Sequence, residues 1–264
     1  MSDEENPDSP SGCASYRWLK KIGHDSVGTA TADSTTLKKK GRPPISLNVL
    51  LQALLFRLRE GCSWRALSIF APHTTIYTRW KQLCEQGIWE RILNFLSSSA
   101  KGQLWSIDST SAKVHKHAQG SSDSAENQAI GKSRGGANTK IHALVDTHGR
   151  AVRLILTAGH RHDIVAAPEL VASCTGKTIL ADKAYDSDEF RSLLQEQELK
   201  GCIPPKGNRT DPASYHKGHY RRRHQVENFF QRIKEKRAVS TRYEKLASRY
   251  LDLVTLAAIC DWLR

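Results

Sequence analysis

The sequence predicts a mixed α/β fold, in which a small all-helical unit precedes a β-sheet with helices packed on it. Three observations predict it. Apolar residues recur at helical spacing between residues 45 and 96, short apolar strands take over after the Ser97-Ser98-Ser99 linker, and helical segments return between and after the later strands. The strands expected are residues 104–110, 140–147, 151–157, 178–182 and 201–204, giving a five-stranded sheet, and no internal repeat interrupts this order.

The helical unit opens at Ile45. Leu47, Leu50, Leu51, Leu54, Leu55 and Leu58 follow the i, i+3, i+4 spacing of an amphipathic helix that ends near Gly61. A short helix over residues 63–70, a turn at Ala71-Pro72-His73 and a helix over 74–86 burying Ile76, Trp80 and Leu83 suggest a helix-turn-helix. Thr75, Thr78, Arg79 and Lys81 then fall along its exposed side, where they would meet phosphates or base edges, or else form the solvated face of a plain bundle. Ile88, Trp89, Ile92, Leu93 and Leu96 supply one more helix. Ahead of this unit, residues 1–40 are rich in Ser, Thr, Asp, Gly and Lys and read as poorly ordered. Lys38 to Pro44 make a basic linker whose Gly41-Arg42-Pro43 core either lies in a DNA minor groove or merely joins two segments. The chain thus divides into 1–40, a helical DNA-binding unit at 41–99 and an α/β domain at 100–264.

In the second half, Asp146-Thr147-His148-Gly149-Arg150 turns the second and third strands into a hairpin, and helices are expected over 163–173 and 188–198. Asp163 is placed to cap the first of these, and Asp186 and Asp188 read as turn and capping residues. Gly159-His160-Arg161-His162-Asp163 invites a zinc reading, but no further clustered ligand pair accompanies it.

Composition narrows the partners. The chain has 264 residues, enough to bury a core without disulfides, and its 40 Lys and Arg against 27 Asp and Glu leave a formal charge of +13. Such a balance favours a polyanion, and nucleic acid is the commonest one. The six cysteines are scattered, with no close pair of the kind a zinc knuckle or redox motif requires. The N-terminus opens Ser2-Asp3-Glu4-Glu5 and no apolar run approaches membrane-spanning length, so the expectation is a soluble, cytoplasmic protein.

The chemistry is carried by three carboxylates. Asp108 follows apolar strand residues in Trp105-Ser106-Ile107-Asp108, and Asp182 does so in Ile179-Leu180-Ala181-Asp182. A carboxylate at the end of a core strand is costly to desolvate unless it is paired, hydrogen-bonded or bound to a metal. The third lies on a helix expected over 220–234. At about 100° per residue, Val226, Phe229, Phe230 and Ile233 cover one face, and Tyr220, Arg223, Glu227 and Lys234 fall in a stripe roughly 60° wide beside it. Taken alone, Glu227 is equally well explained by a salt bridge to Arg223.

Together these segments carry a resemblance. The spacing Tyr220, two residues, Arg223, three residues, Glu227, six residues, Lys234 is the signature around the catalytic glutamate of insertion-sequence transposases of the DDE type. Gly61-Cys62-Ser63-Trp64-Arg65, Lys132-Ser133-Arg134-Gly135-Gly136 and Ala181-Asp182-Lys183-Ala184-Tyr185-Asp186 also look like sequence of that kind. From about Gly41 to the C-terminus the chain resembles the insertion-sequence-five family, within the larger insertion-sequence-four-like group. Residues 1–40 match no motif of that family.

The resemblance implies an RNase H-like catalytic domain in which Asp108, Asp182 and Glu227 hold two Mg²⁺ ions, with Mn²⁺ as a substitute. It implies cleavage at the ends of a mobile element and joining of the freed 3′ hydroxyl to target DNA. Asp108 would be shared between the ions, and Arg223, Lys234 and Tyr220 would hold phosphates beside the scissile bond or position Glu227. Lys132 and Arg134, in a glycine-flanked loop, are further candidates for the DNA backbone, as are Arg79 and Arg42. The partners implied are the terminal inverted repeats and target DNA, bound by a homodimer at the bacterial nucleoid. Two alternatives keep the fold: a regulator that binds DNA without cutting, and a stand-alone nuclease indifferent to terminal repeats.

Overall fold

The computed structural model describes residues 45–120, 124 and 127–264. Residues 1–40, the basic linker and Arg42 lie outside the described residues. Helix α1, Leu47–Glu60, starts where the Ser46 hydroxyl accepts the Val49 amide and stops at Gly61, whose φ of 64° is left-handed. A β-carbon at Gly61 would also come within 2.9 Å of the Arg237 Cβ, so the end of α1 sits hard against a segment almost 180 residues later in the chain. A 3₁₀ turn, Trp64–Ile69, capped by Ser63, leads to α2, His73–Glu85, and α3, Ile88–Ser97. α2 buries Ile76, Trp80 and Cys84, whereas Leu83 is only half-buried. The buried stripe runs at i, i+4, i+8, one position round from the expected one.

Among the described residues the sheet has seven strands: β1 Leu104–Val114, β2 Gly131–Ser133, β3 Gly136–Val145, β4 Ala151–Ala158, β5 Thr178–Leu180, β6 Lys200–Cys202 and β7 Thr241–Arg242. Its main order is β2-β3-β1-β5-β6, with β4 also on β3 and β7 also on β1. The five expected strands form a continuous path, β4-β3-β1-β5-β6, antiparallel from β4 to β1 and parallel from β1 to β6. This is the RNase H-like arrangement. The expected count of five is exceeded by β2 and β7, which pair over only two or three residues and are too short to show periodicity.

The later helices are α4 Ala167–Val171, α5 Asp188–Glu196, α6 Lys217–Tyr220, α7 His224–Lys234, α8 Arg237–Ser240 and α9 Ala247–Trp262. Two expected helices are broken. The one over 163–173 is a 3₁₀ turn, Asp163–Ala166, before the short α4, because Pro168 lacks an amide and belongs in a first helical turn. Asp163 does not cap it: its carboxylate instead accepts Lys140 Nζ at 2.7 Å. The helix over 220–234 is divided by a 3₁₀ turn, Arg221–Arg223, that joins α6 to α7. The cap of α5 is Ser187, which accepts the Phe190 amide, and not Asp188. Asp186 does close a turn, its amide donating to the Lys183 carbonyl at 3.2 Å, and it is buried, accepting Arg191 Nε at 2.8 Å, Arg209 Nε at 3.1 Å and the Lys206 amide at 2.8 Å.

Alternation along the strands sorts the core onto two faces. Ala112, Ile141, Ala143 and Val145 face α7, α8 and α9. Trp105, Ile107 and Leu144 face the other way, against α4, α5 and Tyr185. The first core runs on without a break into α1, α2 and α3, where Leu54, Leu58, Leu67, Ile76 and Trp80 are buried with Phe229, Tyr250 and Leu253. Polar links reinforce it. Arg57, almost fully buried, pairs with Glu244, donates to the Cys62 carbonyl and lies 4.3 Å over the Trp64 ring. Arg249 of α9 reaches the Glu85 carboxylate at 3.0 Å and the Lys81 carbonyl at 3.2 Å. Among the described residues, no helix is long and apolar enough to cross a membrane.

Candidate active site

Asp108 lies on β1 opposite Ala143 and shares the face of Ala112, so its side chain is turned toward α7. Its Oδ1 accepts the Ser109 amide at 2.8 Å, and its Oδ2 accepts Arg223 Nη1 at 2.9 Å. Arg223 closes the last turn before α7, and its other terminal nitrogen donates to Glu227, one helical turn further on. One guanidinium therefore joins two of the three expected carboxylates across 115 residues of sequence. Asp182 follows β5, the parallel neighbour of β1, and caps the 3₁₀ turn Lys183–Tyr185 by accepting the Ala184 amide at 2.9 Å. Among the described residues it makes no ion pair.

The electrostatics follow from this geometry. Burial pushes the Asp108 carboxyl above the usual carboxylate range, and the charge of Asp182 adds to the effect, while the Ser109 amide and Arg223 oppose it. For Arg223, burial works against the charged form, yet Asp108 and Glu227 hold its pKa above the ordinary guanidinium value. Glu227 is about half exposed, so only the Asp108 arm of this bridge is shielded from water.

Among the described residues, no three Asp, Glu, His or Cys side chains stand close enough together to hold a metal ion as they are. Arg223 lies between Asp108 and Glu227 and supplies the positive charge there. The donor set nevertheless fits a hard divalent cation. Two like charges stand on neighbouring parallel strands, Asp108 within β1 and Asp182 just past the end of β5, and a third carboxylate, Glu227, is tied to the first through Arg223.

Lys234 ends α7 with its Nζ donating to the Ser111 carbonyl of β1 at 2.8 Å, and burial lowers the pKa of this ammonium. Tyr220 packs against Tyr215 and offers its ring to Arg223, whose Cζ stands 5.9 Å from the ring centroid. Arg223 and Lys234 of the four-residue stripe thus reach β1, and Glu227 and Tyr220 are joined to it through Arg223. The other expected DNA contacts are not brought to it. Lys132 and Arg134 are exposed at the β2–β3 hairpin, about 23 Å along β3 from the point opposite Asp108, at some 3.3 Å per residue. Arg79 is half-buried on α2 and donates to Gln82 at 3.1 Å.

Sequence reasoning passed over Tyr185. It lies in the quoted segment after Asp182, is wholly buried, and places its hydroxyl where Asp163, Asp108, Asp182 and Arg223 all act on it. The available signal was its place three residues after Asp182, at the end of the 3₁₀ turn that Asp182 caps.

Comparison with known proteins agrees with this layout. The model of the transposase DDE domain matches residues 100–261, and that of putative transposases of the IS4/5 family matches residues 31–93. A putative transposase for insertion sequence element IS6501 from Brucella ovis is 35% identical over 129 residues, 48% of this chain and 98% of the relative. The transposase for insertion sequence element IS1106 from Neisseria meningitidis serogroup B is 34% identical over 76 residues, 28% of this chain and 26% of the relative. In three dimensions the chain is similar to piggyBac transposase in a synaptic complex with hairpin DNA, with a TM-score of 0.52 at 11% identity, covering 92% of this chain and 69% of that one. That likeness concerns the fold. With a DDE-domain match over 162 residues and an IS4/5 match ahead of it, the chain belongs to the DDE transposases of the IS4/5 type.

Proposed function

We propose that Asp108, Asp182 and Glu227 are the catalytic carboxylates with which this DNA transposase cuts the ends of an insertion sequence and joins the 3′ hydroxyl to target DNA. Membership of the family implies dependence on a divalent metal, and the reading offered here is two Mg²⁺ ions, with Mn²⁺ able to replace them. Such ions, when bound, activate the attacking oxygen and stabilise the departing one in an in-line displacement. The observation that carries the reading is the convergence of Asp108 from β1 and Glu227 from α7 on a single guanidinium, with Asp182 adjoining.

The chain's own residues divide the work. Asp108, on the central strand and 19% exposed, would hold the ions together with Asp182 and the more exposed Glu227. Arg223 holds Asp108 and Glu227 together, and its guanidinium would also suit a phosphate of the DNA backbone. Lys234, tied to the edge of β1, and Tyr220, stacked beside Arg223, border the same place and suit a DNA backbone. Exposed Arg221 and Arg222 extend the positive surface on the solvent side. The helical unit at residues 41–99, with Arg79 on α2, is the candidate reader of terminal inverted repeats, and a homodimer on double-stranded DNA would bring two ends together.

Incubation with duplex DNA carrying the element's ends, with and without Mg²⁺, tests this reading. Metal-dependent nicks at the ends followed by joined products support it. Specific binding without cleavage would favour a regulator, and cleavage indifferent to the ends would favour a simple nuclease.

A further inference from the structure

Tyr185 carries a hydroxyl that the resting fold does not use. Its side chain is 0% exposed and packs 6.4 Å, centroid to centroid, from Phe190 in the core beneath α4 and α5. The hydroxyl oxygen is buried and makes no hydrogen bond among the described residues. Buried hydroxyls are nearly always bonded, because an unsatisfied one loses its water without replacement. Phenylalanine would fill the same space without that loss.

The surroundings say what the hydroxyl is for. The charged groups that act on it are Asp163, Asp108, Asp182 and Arg223. Asp163 is already compensated by Lys140 at 2.7 Å, and Asp108 by Arg223 at 2.9 Å. Asp182 alone of the three carboxylates has no cationic partner among the described residues, and a single backbone amide, that of Ala184, is its recorded donor. Asp182 caps the 3₁₀ turn Lys183–Tyr185, whose last residue is Tyr185. We propose that Tyr185 is a positioning residue of the metal site, whose buried hydroxyl donates a hydrogen bond to the Asp182 carboxylate when Asp108 and Asp182 hold a divalent cation. The inference rests on the reading of those aspartates as metal ligands. Its physical basis is general: carboxylates that bind metals are themselves fixed by hydrogen bonds from behind, and loss of such a bond weakens the metal site.

The test is Tyr185→Phe in the full chain, with Mn²⁺ binding followed by electron paramagnetic resonance and thermal unfolding followed without metal. Asp108→Asn and Asp182→Asn are measured alongside. The expected result is Mn²⁺ affinity lowered about 10- to 100-fold by Tyr185→Phe, with a metal-free unfolding temperature equal to or above that of the parent. Unchanged Mn²⁺ affinity in Tyr185→Phe, with affinity lost in both aspartate variants, overturns this inference and leaves the carboxylate reading standing. A lower metal-free unfolding temperature also overturns it, since the hydroxyl would then serve the resting fold through Asp163. Parent-like Mn²⁺ affinity in the aspartate variants overturns the carboxylate reading and this inference with it.

Discussion

Glu244→Ala tests how the helical unit is held to the catalytic sheet. Glu244 is the carboxylate partner of Arg57, whose side chain is 5% exposed; Glu244 itself is 12% exposed. Removing one partner of a buried pair strands a charge and typically costs about 3–5 kcal/mol. Arg57 would keep the Cys62 carbonyl and the Trp64 ring face, so the lower end, about 3 kcal/mol, is expected. Urea unfolding followed by tryptophan fluorescence and circular dichroism measures it. Because α1, α2 and α3 share their core with Phe229, Tyr250 and Leu253, both probes should report one transition that shifts as a whole. The double variant Arg57→Met, Glu244→Leu should recover most of the loss, since it leaves no stranded charge. A loss below about 1 kcal/mol, the range of an exposed pair, or separate transitions for the two probes, would refute the shared-core reasoning.

Arg223→Gln should weaken end cleavage more than it weakens DNA binding, measured by gel shift and nicking in parallel, because it removes the group linking Asp108 to Glu227. His142 is wholly buried, its Nε2 bonded to Thr157, and burial pushes its pKa down to about 4 from 6.5. The unfolded state therefore binds the proton more readily, and stability should fall as pH drops from 6.5 towards 4, by about 3 kcal/mol in total. Replacing His142 by Gln should flatten that part of a stability–pH curve measured by urea unfolding. Asp186→Ala strands Arg191 and the Lys206 amide and should cost about 2–4 kcal/mol, read as a lower urea midpoint.

Much of the fold was legible because its signals are local. The leucine spacing of α1, its Gly61 stop and the short strand before Asp182 all follow from period and punctuation, whereas β1 runs on past Asp108 to Val114, so that this carboxylate lies within the strand and not at its end. The Tyr220, Arg223, Glu227 and Lys234 stripe placed Glu227 beside the core before any partner was known, and Arg223 does bond it. What stayed hidden depends on distant residues. β7 exists only because residues 241–242 meet the end of β1, and β2 only because a glycine turn folds it onto β3. Asp163 reads as a cap locally, but Lys140, 23 residues earlier, claims its carboxylate. Arg57 and Glu244 lie 187 residues apart, so no window of sequence could pair them. Tyr185 carries no signal of its own in the sequence, since only the fold buries its hydroxyl without a hydrogen bond among the described residues.

The central claim is that three carboxylates from β1, β5 and α7 act as one metal-dependent site. Asp108→Asn, Asp182→Asn and Glu227→Gln, each assayed for Mg²⁺-dependent nicking and strand transfer on end-bearing DNA, test it most directly. Each variant should bind DNA and unfold much like the parent while losing both activities together, because one site serves both steps. Near-parental nicking by any one of the three would contradict it.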